Sequence, residues 1–538
     1  MDTRPPAAGP SRWRRRLRLA ALVVFLVGVP LGAGVWYKLL RDVPQPAWIT
    51  SDDAKNFLYG SVGAEGQAGI PYWLVITLPR IFGRDYLPGP GGYASLGLPW
   101  EEGQELPTGF VKKTIGFERV GFNCALCHTT QYRMRETDRP TFVAAGTSQT
   151  SDVGGLIEFF GRSAADPRFN ADTILKEIDL ATRLSATDRL LYRYLLIPMA
   201  KKQMLELGND YMGWVKKRAA WGPGRDAPFN LTKFVLLKEP DDGSVDNTDF
   251  PAIWNLQSRE QAGRIWPESG YDASTANFSQ APVDQSKLMM MSLAGDTTSF
   301  RSVAIDAALG LKATKTPFFM HRMETLITYL RTAPVPRYPA PLPDAALAGA
   351  GAALFEQHCA NCHASGRDNR MGTVIPLAQV GTDAERTHAW TRTAADGINK
   401  IVMGFGIYRS PMSKPDNPGY TAMHMDGLWL RGPYLHNGSV PTLRALLEPP
   451  ACRPQVFYRG SDLVDQDHVG FVSLRCGEPP PPVLPGCAPV PVQSGCMPPD
   501  KGFRLDTRER GNGNGGHTFG TTLPEADKAA LVAYLRTQ

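Results

Sequence analysis

The chain has 538 residues, of which 43% are hydrophobic and 20% are charged. At roughly 100–200 residues per domain this length predicts two to four domains, each long enough to bury a core. The composition excludes a disordered or fibrous chain. The formal net charge is +6, and most of it lies in an arginine-rich amino-terminal tail. The rest of the chain is nearly neutral, which argues against a nucleic-acid-binding surface.

The first element in chain order is an apolar segment behind a basic cluster. Residues 19–37 contain no charged side chain and follow the arginines of residues 12–18. As a helix they would be about 28 Å long, close to the ~30 Å hydrocarbon core of a bilayer. A cleaved signal peptide is the alternative, although its apolar region is normally only ~7–15 residues long. We expect an uncleaved anchor within residues 1–44, in a bacterial inner membrane, with the rest of the chain in the periplasm.

Two copies of one cysteine motif carry the strongest chemical signal. They read Cys124-Ala-Leu-Cys127-His128 and Cys359-Ala-Asn-Cys362-His363. Two thiols with this spacing form thioethers to one haem, and the adjacent histidine then binds the iron. A zinc ribbon would place its two cysteine pairs much closer in sequence, and a thioredoxin-like site lacks the following histidine. The sequence therefore predicts two covalently bound haem c groups.

An internal repeat surrounds the motifs. Residues 344–358 read as an amphipathic helix that runs into the second motif. The segments Leu326-Ile-Thr-Tyr-Leu-Arg-Thr332 and Leu531-Val-Ala-Tyr-Leu-Arg-Thr537 share five of seven positions and lie near the ends of the two halves. This recurrence indicates a duplicated cytochrome c domain.

A proline-rich stretch at residues 334–343 separates the halves, because clustered prolines favour an extended spacer. We expect a mainly α protein with two cytochrome c-type domains in tandem, long loops and one preceding transmembrane helix. The first domain, residues 45–333, is larger than a bare cytochrome domain needs. The second covers residues 344–538.

Four further cysteines lie together in the second half, on either side of a proline-rich insertion. In an oxidising compartment they predict two disulfides, with three possible pairings. A metal site is the weaker alternative, since no cluster of histidines or carboxylates accompanies the thiols. These cysteines are Cys452, Cys476, Cys487 and Cys496.

These motifs and two further segments resemble the dihaem cytochrome c peroxidase superfamily. The segments are Gly432-Pro-Tyr-Leu-His-Asn-Gly-Ser-Val-Pro-Thr-Leu443 and Gly515-Gly-His-Thr-Phe-Gly520. The rubber-oxygenase-like branch is the nearest, through Arg453-Pro454, Phe457-Tyr458 and Val469-Gly-Phe471. The resemblance implies that one haem exchanges electrons with a donor while the other meets the oxidant or substrate.

The supply of histidines separates the two haems. No histidine lies between residues 129 and 320, so the first haem is expected to be open or capped by methionine, tyrosine or water. Met289, Met290 and Met291 lie in that stretch, although such a run more often packs in a core. The resemblance implies His517 as the sixth ligand of the second haem. The alternative for His517 is a solvent-exposed loop histidine. The ligand would be Met412, Met423 or Met425 if the site followed the bacterial peroxidases. We expect His436 to be a structural hydrogen-bonding residue rather than a ligand.

Peroxide chemistry also needs a group that moves a proton near the open haem. The acidic candidates are Glu158, Glu268 and Asp226. The aromatic candidates for the pocket or for radical relay are Trp254 and Trp266, and Arg225 is a candidate partner for a haem propionate.

Three functions follow as hypotheses. The first is an enzyme that reduces hydrogen peroxide with electrons from a small cytochrome c or a cupredoxin. The second is a dioxygenase that cleaves a C=C bond with dioxygen, as the rubber oxygenases do. The third is a membrane-anchored electron carrier with no catalytic activity.

Overall fold

The structure is a computed structural model of the chain. It describes residues 12–256, 317–341, 345–364, 370–371, 374–404, 419–479, 482, 484–487, 493 and 495–538. Trp266, Glu268, Met289, Met290, Met291 and Met412 lie outside the described residues.

The amino-terminal segment is one long helix. Arg16–Leu40 spans 25 residues and is long and apolar enough to cross a membrane. Its apolar side chains are exposed on all sides and pack against no other described element over most of its length. A helix that is apolar all round is normally surrounded by protein or by lipid.

Helices form most of the regular structure. In the first half they are Ala47–Thr50, Asp53–Tyr59, Glu65–Ala68, Tyr72–Tyr86, Val153–Ala165, Ala171–Ala181, Ala186–Leu191, Tyr192–Leu196, Ile197–Val215, Pro228–Asn230, Leu231–Leu236 and Pro317–Thr332. In the second half they are Ala345–His358, Ala360–His363, Leu377–Val380, Glu385–Ala389, Arg392–Gly404, Leu443–Leu446 and Glu525–Leu535.

Short antiparallel strands lie between the helices. The largest sheet has four strands in the order Asp42–Val43, Phe110–Ile115, Phe117–Phe122 and Ile70–Pro71. The remaining described strands form two-stranded pairs, namely Thr129–Tyr132 with Thr141–Ala144, Arg225–Asp226 with Thr248–Asp249, Val374–Pro376 with Gly419–Thr421, Val456–Arg459 with Phe503–Asp506, and Val464–Asp465 with Gly470–Phe471. The fold is therefore mixed rather than mainly α, because the long connections form short antiparallel strands, some as local hairpins and others between segments far apart in sequence.

Side-chain caps mark where several helices begin. Asp52, Asp152, Asn170 and Ser185 each accept a hydrogen bond from the backbone N–H three residues later. Such caps satisfy N–H groups that have no partner inside the helix. Asp52 thereby fixes the start of helix Asp53–Tyr59, which packs against the first motif.

Two helix pairs cross closely at glycines. In the first half, Gly161 and Gly208 face each other, and a Cβ on either would lie within 2.8 Å of the other's Cα. In the second half, Ala345–His358 packs on Glu525–Leu535, where Gly351 lies against the Ala530 carbonyl. The helix predicted to enter the second motif is thus present from Ala345 to His358, and the carboxy-terminal repeat segment forms its packing partner.

The main hydrophobic core is shared by the two halves. It contains Phe57 and Trp254 from the first half together with Trp390, Trp429 and Leu531 from the second. The proline-rich stretch also packs on the second half, because Trp429 donates a hydrogen bond to the Pro336 carbonyl (2.9 Å). A separate core holds the helices Tyr72–Tyr86 and Val153–Ala165. The division into two domains remains a prediction.

Candidate functional site

The first cysteine motif lies in a tight turn directly after strand Phe117–Phe122. Asn123 caps this turn by accepting a hydrogen bond from the Ala125 N–H (2.9 Å). The Asn123 amide group also donates to the carbonyls of Phe57 (2.9 Å) and Gly60 (3.0 Å). The turn is therefore fixed against helix Asp53–Tyr59, and a strand leads into this motif, whereas a helix leads into the second motif.

His128 is oriented by a backbone carbonyl. Its Nδ1 lies 2.8 Å from the Pro251 oxygen, which can only accept, so Nδ1 carries the proton and Nε2 is free to bind a metal. Burial lowers the pKa of His128 to about 4, so the ring is neutral. The residue nevertheless keeps part of its surface accessible.

The second motif has the same arrangement. His363 ends a helical turn, and its Nδ1 lies 2.7 Å from the Met423 carbonyl oxygen. Burial also lowers the pKa of His363, and the ring is again partly accessible. Met423 therefore lies behind His363, on the side of the ring away from the metal-binding nitrogen.

His517 faces His363. Their ring centres are 6.2 Å apart with an angle of 49° between the planes. Two imidazoles on opposite sides of one metal, each with a metal–nitrogen bond of about 2 Å, have ring centres about 6 Å apart. His517 Nδ1 is buried and has no hydrogen-bond partner among the described residues. The pair fits two axial ligands of one haem iron.

The glycine-rich loop that carries His517 is held from both sides. Arg453, which is buried, donates to the carbonyls of Asn514 (2.6 Å), Gly516 (2.8 Å) and His517 (3.0 Å). On the other side the His517 N–H donates to the Val380 carbonyl (2.7 Å). A Cβ at Gly516 would lie 2.2 Å from the Gly381 carbonyl carbon, so a glycine is required there.

Burial, followed by the charges of His363 and Arg453, lowers the pKa of His517 to about 3. The ring is neutral at physiological pH, as a metal ligand must be. The backbone of His517 has a φ of +45°, an uncommon conformation for a residue other than glycine. The loop is therefore shaped to direct this side chain toward His363.

The eight cysteines fall into two classes. Cys124, Cys127, Cys359 and Cys362 are free thiols. The remaining four form the disulfides Cys452–Cys487 and Cys476–Cys496, which selects one of the three pairings left open by the sequence. Burial raises the pKa of Cys124 and of Cys359 to about 11, so these thiols stay protonated unless they react. Among the described residues there is no cluster of three or more side chains that could bind a metal. The four cysteines of the second half are bonded to one another, so their sulfur atoms are not available as metal ligands.

Trp254 lies between the two motifs. It is fully buried, and its Nε1 donates to the Asp426 carbonyl (3.3 Å). Trp254 lies three residues after Pro251, whose carbonyl orients His128. Asp426 lies three residues after Met423, whose carbonyl orients His363. A Cβ at Gly427 would lie 2.5 Å from the indole ring, so the ring needs this glycine. One tryptophan thus connects the backbone segments that orient both histidines.

The acidic candidates are placed differently from one another. Glu158 lies on the outer face of helix Val153–Ala165, where its side chain is 40% exposed and pairs with Arg162 (3.7 Å). Asp226 lies deep in the protein near Cys127, and burial followed by the charge of Asp246 raises its pKa to about 7. Of these two residues, only Asp226 lies close to the first motif. The catalytic role of Glu158 stays a prediction.

Two other predicted residues have structural partners. His436 Nε2 lies 3.0 Å from the Tyr420 hydroxyl, with the two rings stacked at 4.1 Å. The His436 carbonyl accepts from the Asp249 N–H (2.9 Å), which connects the two halves. Arg225 donates to the carbonyls of Trp221 (2.6 Å) and Ala220 (2.9 Å) and to the side chain of Asn512.

The sequence reasoning missed the residues that orient the histidines. Asn123 could have been found as a capping residue, because asparagine directly before a turn is a common cap. Pro251 and Met423 contribute only backbone carbonyls, which every residue type has. No sequence signal marks them for this role.

Comparison with known proteins finds one family match in the second half of the chain. A family described as "RoxA-like, cytochrome c-like" matches residues 419–458. This segment contains Met423 and Arg453, which hold His363 and the His517 loop. The segment is cytochrome c-like. The match supports the rubber-oxygenase-like branch, and a cytochrome c-like domain implies covalently bound haem c.

Two curated relatives come from Sinorhizobium fredii (strain NBRC 101917 / NGR234). The uncharacterized protein y4iM is 30% identical over 290 residues, which cover 48% of this chain and 57% of that protein. The uncharacterized protein y4iJ is 37% identical over 127 residues, which cover 22% of this chain and 17% of that protein. The chain thus spans little more than half of one relative and a small part of the other.

Proposed function

We propose that the protein is a dihaem c-type oxidoreductase that reduces hydrogen peroxide at the Cys124–His128 motif. Electrons arrive from a small cytochrome c or cupredoxin through the Cys359–His363 motif. The helix Arg16–Leu40 holds the chain in the bacterial inner membrane, and the remainder lies in the periplasm. Each peroxide molecule takes up two electrons and two protons and gives two water molecules.

The pairing of His363 with His517 carries this proposal. A haem at each motif supplies one-electron chemistry, and a free axial position admits a small oxidant. At the second motif His363 and His517 would together hold a haem from its two faces, and that site would then be suited to electron transfer rather than to binding an oxidant. At the first motif His128 supplies one ligand, and the nearest ring contact among the described residues is Phe250 at 6.4 Å.

Trp254 provides the connection between the two sites. Its indole is excluded from solvent and lies between the segments that hold His128 and His363. Arg431 lies over the ring, 5.6 Å from its centre. We assign Trp254 the role of an electron relay. Electrons would pass through its ring from the second motif to the first.

A pair of conservative variants tests the relay. Trp254→Phe keeps a ring under Gly427 but removes the N–H donor, and we expect it to lose peroxide turnover several-fold with reduced cytochrome c as donor. Trp429→Phe is the matched control, because Trp429 is equally buried and also donates to a backbone carbonyl. The control should keep its turnover. Equal rates for both variants would contradict the relay, and a wild-type protein inert toward peroxide would contradict the proposed reaction.

The family match favours a second candidate. A RoxA-like segment at residues 419–458 is consistent with a dioxygenase that cleaves a C=C bond without an external donor. Oxygen consumption with a long-chain olefin and no electron donor separates this reaction from peroxide reduction. Electron paramagnetic resonance separates both from an electron carrier, which would stay low-spin at both haems after partial reduction.

A further inference from the structure

An apolar face lies on the outside of the helices that follow residue 170. Tyr194 is 72% exposed and Leu190 is 57% exposed, and three more large apolar residues are exposed beside them. We call these residues the apolar face: Leu180, Leu190, Tyr194, Leu195 and Met199. Helices at a protein–water boundary normally direct charged and polar residues outward.

The helical geometry explains why the face is continuous. Ala186–Leu191, the π-helical turn Tyr192–Leu196 and Ile197–Val215 form one uninterrupted helical stretch, whose inner side buries Tyr192 and Leu196. After Met199 the outward positions become mainly polar, with Lys202, Gln203 and Glu206 exposed, although Leu207 is also 39% exposed. The face is therefore confined to the first turns of this stretch and to the end of helix Ala171–Ala181.

The apolar face lies next to the point where the amino-terminal helix meets the body of the protein. Lys38, near the end of that helix, forms an ion pair with Asp188 (2.6 Å), two residues before Leu190. The Arg41 carbonyl accepts from the Gly116 N–H (2.7 Å), and a Cβ at Gly116 would lie 2.4 Å from the Leu39 backbone. Strand pairing continues the attachment, with Asp42 opposite Ile115.

We propose that the apolar face rests in the headgroup and upper acyl region of the membrane that the amino-terminal helix crosses. Trp36 and Tyr37 are residue types found at a membrane–water boundary, and the Lys38–Asp188 ion pair sets Leu190 at that level. Amphipathic helices that lie in this boundary insert their apolar side roughly 5–10 Å deep. Arg183 and Lys202 are exposed at the two ends of the face, where they meet anionic headgroups.

This inference rests on the proposed membrane anchoring and is independent of the haem chemistry. It assigns the body of the protein a fixed orientation on the bilayer. No other described element covers the apolar face. A second copy of the chain could also cover such a face. The experiment below distinguishes contact with a second copy from contact with the membrane.

Site-specific fluorescence in vesicles tests the contact. Full-length haem-loaded protein carries a single environment-sensitive label at Leu190→Cys, Tyr194→Cys or Met199→Cys, and is reconstituted in vesicles that contain anionic lipid. Lipids with nitroxide groups on their acyl chains quench labels that reach the hydrocarbon. The control is Gln203→Cys, which is exposed on the same helical stretch beyond the face. Val27→Cys, in the middle of the amino-terminal helix, reports the anchor separately.

We expect several-fold stronger quenching at the three positions on the face than at Gln203→Cys, together with quenching at Val27→Cys. Quenching at Val27→Cys with none at the face would overturn the inference and leave the anchor in place. Absence of quenching at both would overturn the anchor as well. Disulfide-linked dimers of the unlabelled Tyr194→Cys variant, without lipid quenching, would assign the face to a second copy instead. Unchanged haem absorption shows that each variant is folded. Correct folding is expected, because the substituted side chains are exposed.

Discussion

Single backbone carbonyls determine which nitrogen of each proximal histidine is available to a metal. Pro251 and Met423 accept from the Nδ1 of His128 and His363, and this contact fixes both the tautomer and the direction of the ring. His517 differs, because its own Nδ1 has no partner among the described residues. Its orientation comes from the backbone, through Arg453 and Gly516.

Removal of His517 tests the assignment of the second motif. His517→Ala takes away the ring that faces His363 at 6.2 Å. We expect one low-spin ferric signal to become high-spin in the electron paramagnetic resonance spectrum, because the iron loses its strong sixth ligand.

His436→Gln is the matched control for this substitution. His436 is also a histidine of the second half. Its Nε2 already forms a hydrogen bond with the Tyr420 hydroxyl, so it is not expected to bind the iron. The low-spin signal should persist in this variant. A His517→Ala protein with the wild-type spectrum would remove His517 from the ligand set.

Glu65 makes stability depend on pH at the single-residue scale. It is fully buried beneath Gly121, and burial raises its pKa although Ser61 donates to it (2.6 Å). The folded state therefore keeps the proton at pH values where the unfolded chain, with a pKa of about 4.3, has lost it. The stabilising contribution is complete below the unfolded pKa and declines as pH rises through the elevated pKa of the folded state.

We expect Glu65→Gln to remove this decline. Chemical unfolding of both proteins over a pH series gives the free energy of unfolding at each pH. This free energy should fall with rising pH more steeply in the wild type than in the variant. Glu102→Gln, on an exposed loop, serves as control and should keep the wild-type slope. Parallel curves for wild type and Glu65→Gln would show that this carboxyl does not contribute.

The contact between helices Ala345–His358 and Glu525–Leu535 positions the second motif at the scale of elements. Gly351 allows this contact, because a Cβ there would lie 2.0 Å from the Ala530 carbonyl oxygen. Gly349 is on the same helix, and a Cβ there would meet nothing within 4 Å. The two glycines form a matched pair.

We expect Gly351→Ala to destabilise the protein by about 1–3 kcal/mol, because the two backbones must separate. Gly349→Ala should stabilise it by about 0.5–1 kcal/mol, through the higher helix propensity of alanine. Thermal unfolding followed by circular dichroism measures both changes. Equal shifts for the two variants would mean that the helices do not pack at Gly351.

Elements could be predicted from the sequence where the signal is local. The helix into the second motif is rich in alanine and other good helix formers apart from Gly349 and Gly351, and both repeat segments form helices, Pro317–Thr332 and Glu525–Leu535. The strand before the first motif was not predicted, because Phe117–Phe122 depends on pairing with Phe110–Ile115 rather than on its own pattern. The spacing of cysteines predicted the motifs, whereas the disulfide pairing needed their positions in space.

At the scale of the whole molecule, buried polar contacts join the two halves. Arg459 donates to Asp249 (2.7 Å) and to the Gly438 carbonyl (2.7 Å), and it is almost fully buried. Arg133 pairs with Asp462 (2.7 Å) across the same boundary. Residues about 200 or more apart in sequence are thus in contact, and one amino-acid sequence by itself gives no sign of such pairs.

We expect Arg459→Met to destabilise the whole molecule by about 3–5 kcal/mol, because Asp249 would remain buried without its partner. Arg504→Met is the control, since Arg504 lies on the paired strand but is exposed, and it should change stability by no more than about 0.5 kcal/mol. Calorimetry should show a single transition for the wild type. Two separate transitions, of which Arg459→Met lowers only one, would contradict the shared core.

The two classes of cysteine have a consequence for how a cell must make this protein. Under the proposed function, with a haem c at each motif, four thiols have to stay reduced until haem is attached, while four others have to be oxidised to Cys452–Cys487 and Cys476–Cys496. Pairs spaced as Cys-x-x-Cys are themselves readily oxidised, so an oxidant that acts too early would block attachment. Biogenesis therefore requires one compartment that offers an oxidant, a reductant and haem in the right order. A host without a cytochrome c maturation system would accumulate a protein with its disulfides in place and its haem sites empty.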